Sequence, residues 1–123
     1  MQDQPPASAI VDLTVAHLRD NLLPALEGRA QFEMRVALNA LAVVRRTLQL
    51  AADSDAAELE RLTALLGESG DLEKLNRRLC ALIRDGSISF DSPGLEPHLR
   101  ATAMEKLAVD QPTYSAYRQA LEA

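Results

Sequence analysis

The chain has 123 residues, enough for one compact domain that removes roughly two thirds of its unfolded surface from water. With 47% hydrophobic and 25% charged residues, two Phe, two Tyr and no Trp, it is a globular composition whose core must be built of Leu, Val, Ile and Ala. A formal net charge of -5 opposes general binding to nucleic acid or to an anionic membrane, and the single cysteine, Cys80, excludes an internal disulfide.

The N-terminus, MQDQPPASAI, lacks the basic and apolar regions of a signal peptide, and Arg45 and Arg46 close the longest apolar run well short of the roughly 20 residues that span a bilayer. A cytoplasmic location follows as the expectation. Residues 1–6 read as a flexible tail. Ser8 is placed to cap a first helix, in which Ile10, Val11, Leu13, Val15, Leu18 and Leu22 recur at helical spacing as far as about Leu23. Pro24 disfavours the helical conformation at Leu23, and Gly28 closes a short PALEG connection that can itself form a helical turn.

A long second helix then runs from Arg29 or Ala30 to about Ala51 or Ala52 (29–52). The triplet Asp53-Ser54-Asp55 offers caps, and Asp55 with Glu58 has the spacing of a capping box, which predicts a separate third helix over 56–66 with Leu59, Leu62, Leu65 and Leu66 inward and Gly67 as its stop. Gly70 and Asp71 open a fourth helix, 72–84, with Leu72, Leu75, Leu79, Leu82 and Ile83 on one face and Gly86 at its end. The segment SISFDSPGLEP is too short and solitary for a sheet and reads as an ordered loop. A fifth helix is expected over 97–109, a break at Asp110-Gln111-Pro112, and a last helix over 113–121 capped by Asp110. No internal repeat, sustained heptad run or low-complexity tract interrupts this pattern. The expected fold is all-α: a single-domain bundle of five to six helices around a long central one.

That central helix carries the most distinctive chemistry. At about 100° per residue, Ala37, Leu41, Val44 and Leu48 share one side, while Phe32, Val36, Val43 and Leu50 make a second apolar strip. Two strips imply two packing partners. Beside the second lie Arg35, Asn39 and Arg46, within about 40° of one another. A buried Asn39 needs hydrogen-bond partners, since an unsatisfied amide costs about 1–3 kcal/mol. On a structural reading Asn39 bonds to neighbouring backbone and the arginines lie along apolar surface. On a functional one the edge binds an anion or carbonyl through the donor fork of Arg.

Other chemistry is sparse. Nothing in the spacing of His17 and His98 makes them metal ligands, and Cys80, inside LCALI, reads as a small buried hydrophobe rather than a nucleophile. The pairs Arg45/Arg46 and Arg77/Arg78 fit a solvated helix face. Gly-rich phosphate loops, HExxH and GxSxG are absent, so neither cofactor nor metal is called for.

Three blocks, LLPALEGRAQFEMRVALNALAVVRRTLQL, DLEKLNRRLCALIRDG and HLRATAMEKLAVDQPTYSAY, resemble in order those of an uncharacterised bacterial family of small all-helical proteins. The resemblance covers more than half the chain, at positions that include Arg29, Phe32, Arg35, Asn39, Asn76, Cys80, Arg100, Lys106, Asp110 and Tyr114. The family pattern has Asn where this chain has Gln111, and often His where it has Glu33. Genes of such proteins often lie beside those of an acyl-CoA dehydrogenase and of a kinase-like protein resembling aminoglycoside phosphotransferases, which implies a role near acyl-CoA metabolism.

Two functions of different class are expected. The first is a non-catalytic interaction or accessory protein, associated with the dehydrogenase or kinase-like protein and homodimeric through an apolar helix face. The alternative is a domain that binds, or helps to process, an acyl or phosphorylated anion along Arg35, Asn39 and Arg46.

Overall fold

A computed structural model describes residues 4–123. The fold is all-α. Its five α-helices are α1 (Ala7–His17), α2 (Gly28–Leu66), α3 (Leu72–Arg84), α4 (Leu95–Asp110) and α5 (Ser115–Glu122), and no strand occurs among the described residues. They divide between two compact units, residues 1–51 and 52–123, with α2 contributing to both.

In the first unit Pro6, rather than Ser8, occupies the cap of α1, and its carbonyl accepts from the N–H groups of Ala9 and Ile10 at 3.0 and 3.2 Å. Of the expected tail, residues 1–3 lie outside the described residues. The α-helical ladder stops at His17 and widens into a π-turn over Leu18–Leu22, closed by the Leu23 N–H on the Leu18 carbonyl. Pro24, which offers no N–H and whose ring crowds the carbonyl four residues back, keeps the helical ladder from running on past this turn. The PALEG connection contains a 3-10 turn, Leu23–Ala25, and Gly28 (φ 58) begins α2. Arg45 of α2 meets Asp12 of α1 at 3.7 Å, pairing a residue well before the connection with one well after it, as in an antiparallel helical hairpin.

The expected break at Asp53-Ser54-Asp55 does not occur; one helix covers both predicted elements. A cap is useful only where the backbone has already left the helix. The triplet lacks Gly and Pro and is flanked by Ala51, Ala52, Ala56 and Ala57, so its propensity cost of roughly half a kcal/mol per residue is less than that of two new helix ends with orphaned N–H and C=O groups.

The second unit holds the hydrophobic core. Leu62 of α2, Leu75 and Leu79 of α3 and Leu95 of α4 form a buried cluster, with Leu59, Leu65, Leu66, Leu72 and Ile88 packed against it. The stripe predicted for residues 59–66 is therefore correct although no separate helix carries it. Ile83, expected on the inward face of α3, is 41% exposed. Gly67 (φ 64) stops α2 in the left-handed region, and Asp71 caps α3 by accepting the Lys74 N–H at 2.7 Å. The 85–94 loop is ordered: Ile88 donates to the Leu82 carbonyl at 3.1 Å and Ser89 N–H to Ser92 Oγ at 2.9 Å. Asp110 ends α4 instead of capping α5, whose cap position is Tyr114.

Leu62→Ala should lower the unfolding free energy by about 2–5 kcal/mol, the range for a leucine removed from a packed core. Asp71→Ala should cost about 1 kcal/mol and Asp71→Ser much less, the loss of one cap bond. Urea denaturation of the three variants beside the parent chain checks both.

Candidate functional site

Helix α2 presents its first half, residues 28–51, very differently from its second. Gln31, Met34, Leu38, Leu41, Ala42 and Arg45 are half-buried and fall within about 100° of the helix circumference, the side from which Arg45 reaches Asp12. Leu38 and Leu41 supply the apolar part of that side, and the small Ala42 leaves room beside Arg45. Both predicted apolar strips remain largely open: Phe32 is 66% exposed, Val36 52%, Val44 46% and Leu48 49%. On α1, Ile10 and Leu13 are exposed as well, and Val15 is the one buried residue among those described up to Ala51. The two partners implied by the two strips are thus not supplied by α1.

Asn39 is exposed, which corrects the expectation that its amide is held inside. The wheel placed it at the border of an apolar strip, and the strip itself is uncovered. Arg35 is exposed and Arg46 half-buried. Arg35 and Asn39 stand one turn apart, whereas Arg46 lies about 10 Å further along the axis, so the three line an extended edge.

In the second unit the helices bring together a polar cluster that the sequence did not announce. Arg61 of α2 donates through both terminal nitrogens to the Glu105 carboxylate of α4, at 2.9 and 2.6 Å, with each side chain about one quarter exposed. The bidentate geometry holds α4 on α2, and the Glu105 hydrogen bonds raise the Arg61 pKa. One turn earlier on α2, Glu58 accepts from the Asn76 amide of α3 at 2.9 Å. His98, on the first turn of α4, is 3% exposed and its Nδ1 has no partner. It lines an open pocket of about 430 Å³ with Arg61, Leu65, Pro93, Gly94 and Pro97. Burial lowers the His98 pKa, the Arg61 charge lowers it further, and Glu58 and Glu105 oppose both effects only in part. The two hydrogen-bonded pairs fasten α4 and α3 to α2, with the His98 ring beside them. No local spacing signals it, because Arg61 and Glu105 are 44 residues apart.

Cys80 is exposed, not buried as its LCALI context suggested. It lies one residue, or about 100°, past the buried Leu79, which turns it onto the outer face of α3 beside Asn76, Arg77 and Arg84, along a shallow groove with Leu72 and Glu73. Arg77 is paired with Glu73 there. His17 lies in the other unit from His98, and among the described residues no three His, Cys, Asp or Glu side chains group as metal ligands would. No described helix is long and apolar enough to cross a membrane.

These features define a small all-α protein with a leucine core at one end of its sequence and an uncovered apolar helix face at the other. Residues 24–114 match the model of a family described as a domain of unknown function (DUF6285), and the chain belongs to that family. The match spans α2, α3 and α4 and leaves out α1 and α5. No curated protein and no solved structure matches the chain.

His98 gives a pH dependence with a definite sign. Its folded pKa lies below the ordinary 6.5, so on acidification the unfolded chain takes up the proton first. This contribution to stability is complete above about pH 7 and is lost as pH falls from about 6.5 towards the folded pKa. His98→Gln should unfold with a smaller stability difference between pH 7.5 and pH 5.5 than the parent, read from urea midpoints at the two pH values.

Proposed function

We propose that this is a non-catalytic helical interaction protein of the cytoplasm, in which the leucine-cored unit is the scaffold and the apolar face of residues 28–51 is the binding surface. The observation that carries the reading is the exposure of that face. Large apolar side chains scattered singly on a surface need no explanation, but a contiguous set on one helix, in a unit with one buried residue among those described, marks a surface made to be covered. The polar residues of the second unit support it from the other direction. Arg61 is engaged with Glu105 and Glu58 with Asn76, and His98 is buried.

The family resemblance supplies the candidate partners: an acyl-CoA dehydrogenase or the kinase-like protein encoded nearby. The strip of Leu41, Val44 and Leu48 adjoins the side that α1 covers, so a partner docked there would extend the packing already begun by α1. On this reading the chain has an accessory role in acyl-CoA metabolism.

Val44→Glu and Leu48→Glu should each leave the urea midpoint nearly unchanged, since exposed positions rarely move stability by more than about 0.5 kcal/mol. Each should weaken capture of the co-expressed neighbour at least tenfold. Tagged-chain pull-down with quantitative mass spectrometry measures this; capture of neither neighbour by the parent chain, or capture indifferent to both substitutions, sinks the reading.

A further inference from the structure

The other strip of α2 has an order that its exposure makes meaningful. Phe32, Val36, Asn39, Val43, Arg46 and Leu50 follow one another at alternating spacings of four and three residues, the spacing of a seam between two paired helices. Phe32, Val36 and Leu50 are exposed at 66%, 52% and 38%, Asn39 is exposed, and Val43 is half-buried. The seam is too short to be read as a coiled coil from sequence, and it is α1's position on another side of α2 that leaves it open.

We infer that the occupant of this seam is a second copy of the chain, its α2 packed antiparallel about a two-fold axis at Asn39. The inference rests on the interaction-protein reading and names the partner for one of its two strips. Asn39 identifies the occupant. Against an apolar partner its amide would lose its water, at a cost of about 1–3 kcal/mol. Against its own copy it is satisfied, because a primary amide carries both donor and acceptor and two of them pair across an axis. A central Asn in a helix seam is also what fixes register and oligomeric state.

With the axis at residue 39, positions whose numbers total about 78 lie opposite one another. Val36 meets Val43 of the second copy, and Phe32 meets Arg46 of the second copy, so that the guanidinium covers an aromatic face instead of another guanidinium. A parallel pairing would set Arg46 against Arg46. From residue 32 to residue 50 the seam is about 27 Å long, five turns of helix.

Charge points the same way. Asp3, Asp12, Asp20, Glu27 and Glu33 balance Arg19, Arg29, Arg35, Arg45 and Arg46 in residues 1–51, and the net charge of -5 belongs to the remainder. Two copies of the first unit therefore meet without net repulsion. The same balance deprives that unit of the basic excess by which an amphipathic helix is drawn to anionic lipid.

Light scattering on the full chain from 1 to 100 μM should give twice the 13.4 kDa chain mass, and Asn39→Asp, which sets two carboxylates against each other, should raise the dissociation constant at least tenfold. In a Cys80→Ser background, Asn39→Cys should form an inter-chain disulfide with diamide and Phe32→Cys should not, since two-fold copies of residue 32 stand about 21 Å apart along the axis. Differently tagged parent chains should co-purify, which tests self-association without any variant. A monomer at 100 μM overturns the inference, as does a Phe32→Cys disulfide forming as readily as that of Asn39→Cys. So does a monomer that binds phosphatidylserine vesicles through Val36 and Phe32. A monomeric chain that still captures its neighbour, and loses it on Leu48→Glu, removes the second copy but leaves the interaction reading standing; failure of both removes the two together.

Discussion

The structure depends on an unbroken backbone hydrogen-bond ladder through residues 51–56. Because α2 does not end there, Leu59, Leu62, Leu65 and Leu66 belong to the same helix as Phe32, Val36 and Leu48, and one element serves two purposes. Its second half is committed to the leucine core. Its first half is held by little beyond α1 and the Asp12–Arg45 contact, and Phe32, Val36, Val44 and Leu48 are exposed on it. A helix end at the Asp-Ser-Asp triplet would have released eight backbone groups to be satisfied elsewhere.

Local signals in the sequence were dependable where a backbone group must be satisfied by a neighbour in the chain. Asp71 and Gly86 bracket α3 because the cap and the left-handed stop are both built within three residues of the helix ends, and α3 was legible from end to end. The same kind of signal misled at Asp55 and Glu58, where capping chemistry is present but nothing forces the backbone out of the helix. Glu58 is used instead across the fold, by Asn76.

For the proposed binding surface the limit was of another kind. A helical wheel gives the angle of a side chain but not what lies over it, and so Asn39, expected inside, stands exposed beside a strip that nothing among the described residues covers. Cys80 shows the converse: apolar neighbours in sequence suggested a buried thiol, yet the angular step from Leu79 is enough to bring it out. The Arg61–Glu105 clasp was invisible because its two halves come from distant helices, and only the packing of α4 on α2 sets the Arg61 charge against His98.

The π-turn at Leu18–Leu22 bears on how such chains vary in length. A wide turn of this kind is what one additional residue leaves behind when it is absorbed into an α-helix. Removing a single residue between His17 and Pro24 would restore the ordinary ladder while leaving the helical residues on either side near their places, so that the contact of Asp12, before the turn, with Arg45, after it, is kept. A one-residue deletion is therefore better tolerated in this stretch than in α3, where it would turn Leu79 away from Leu62 and break the core in two.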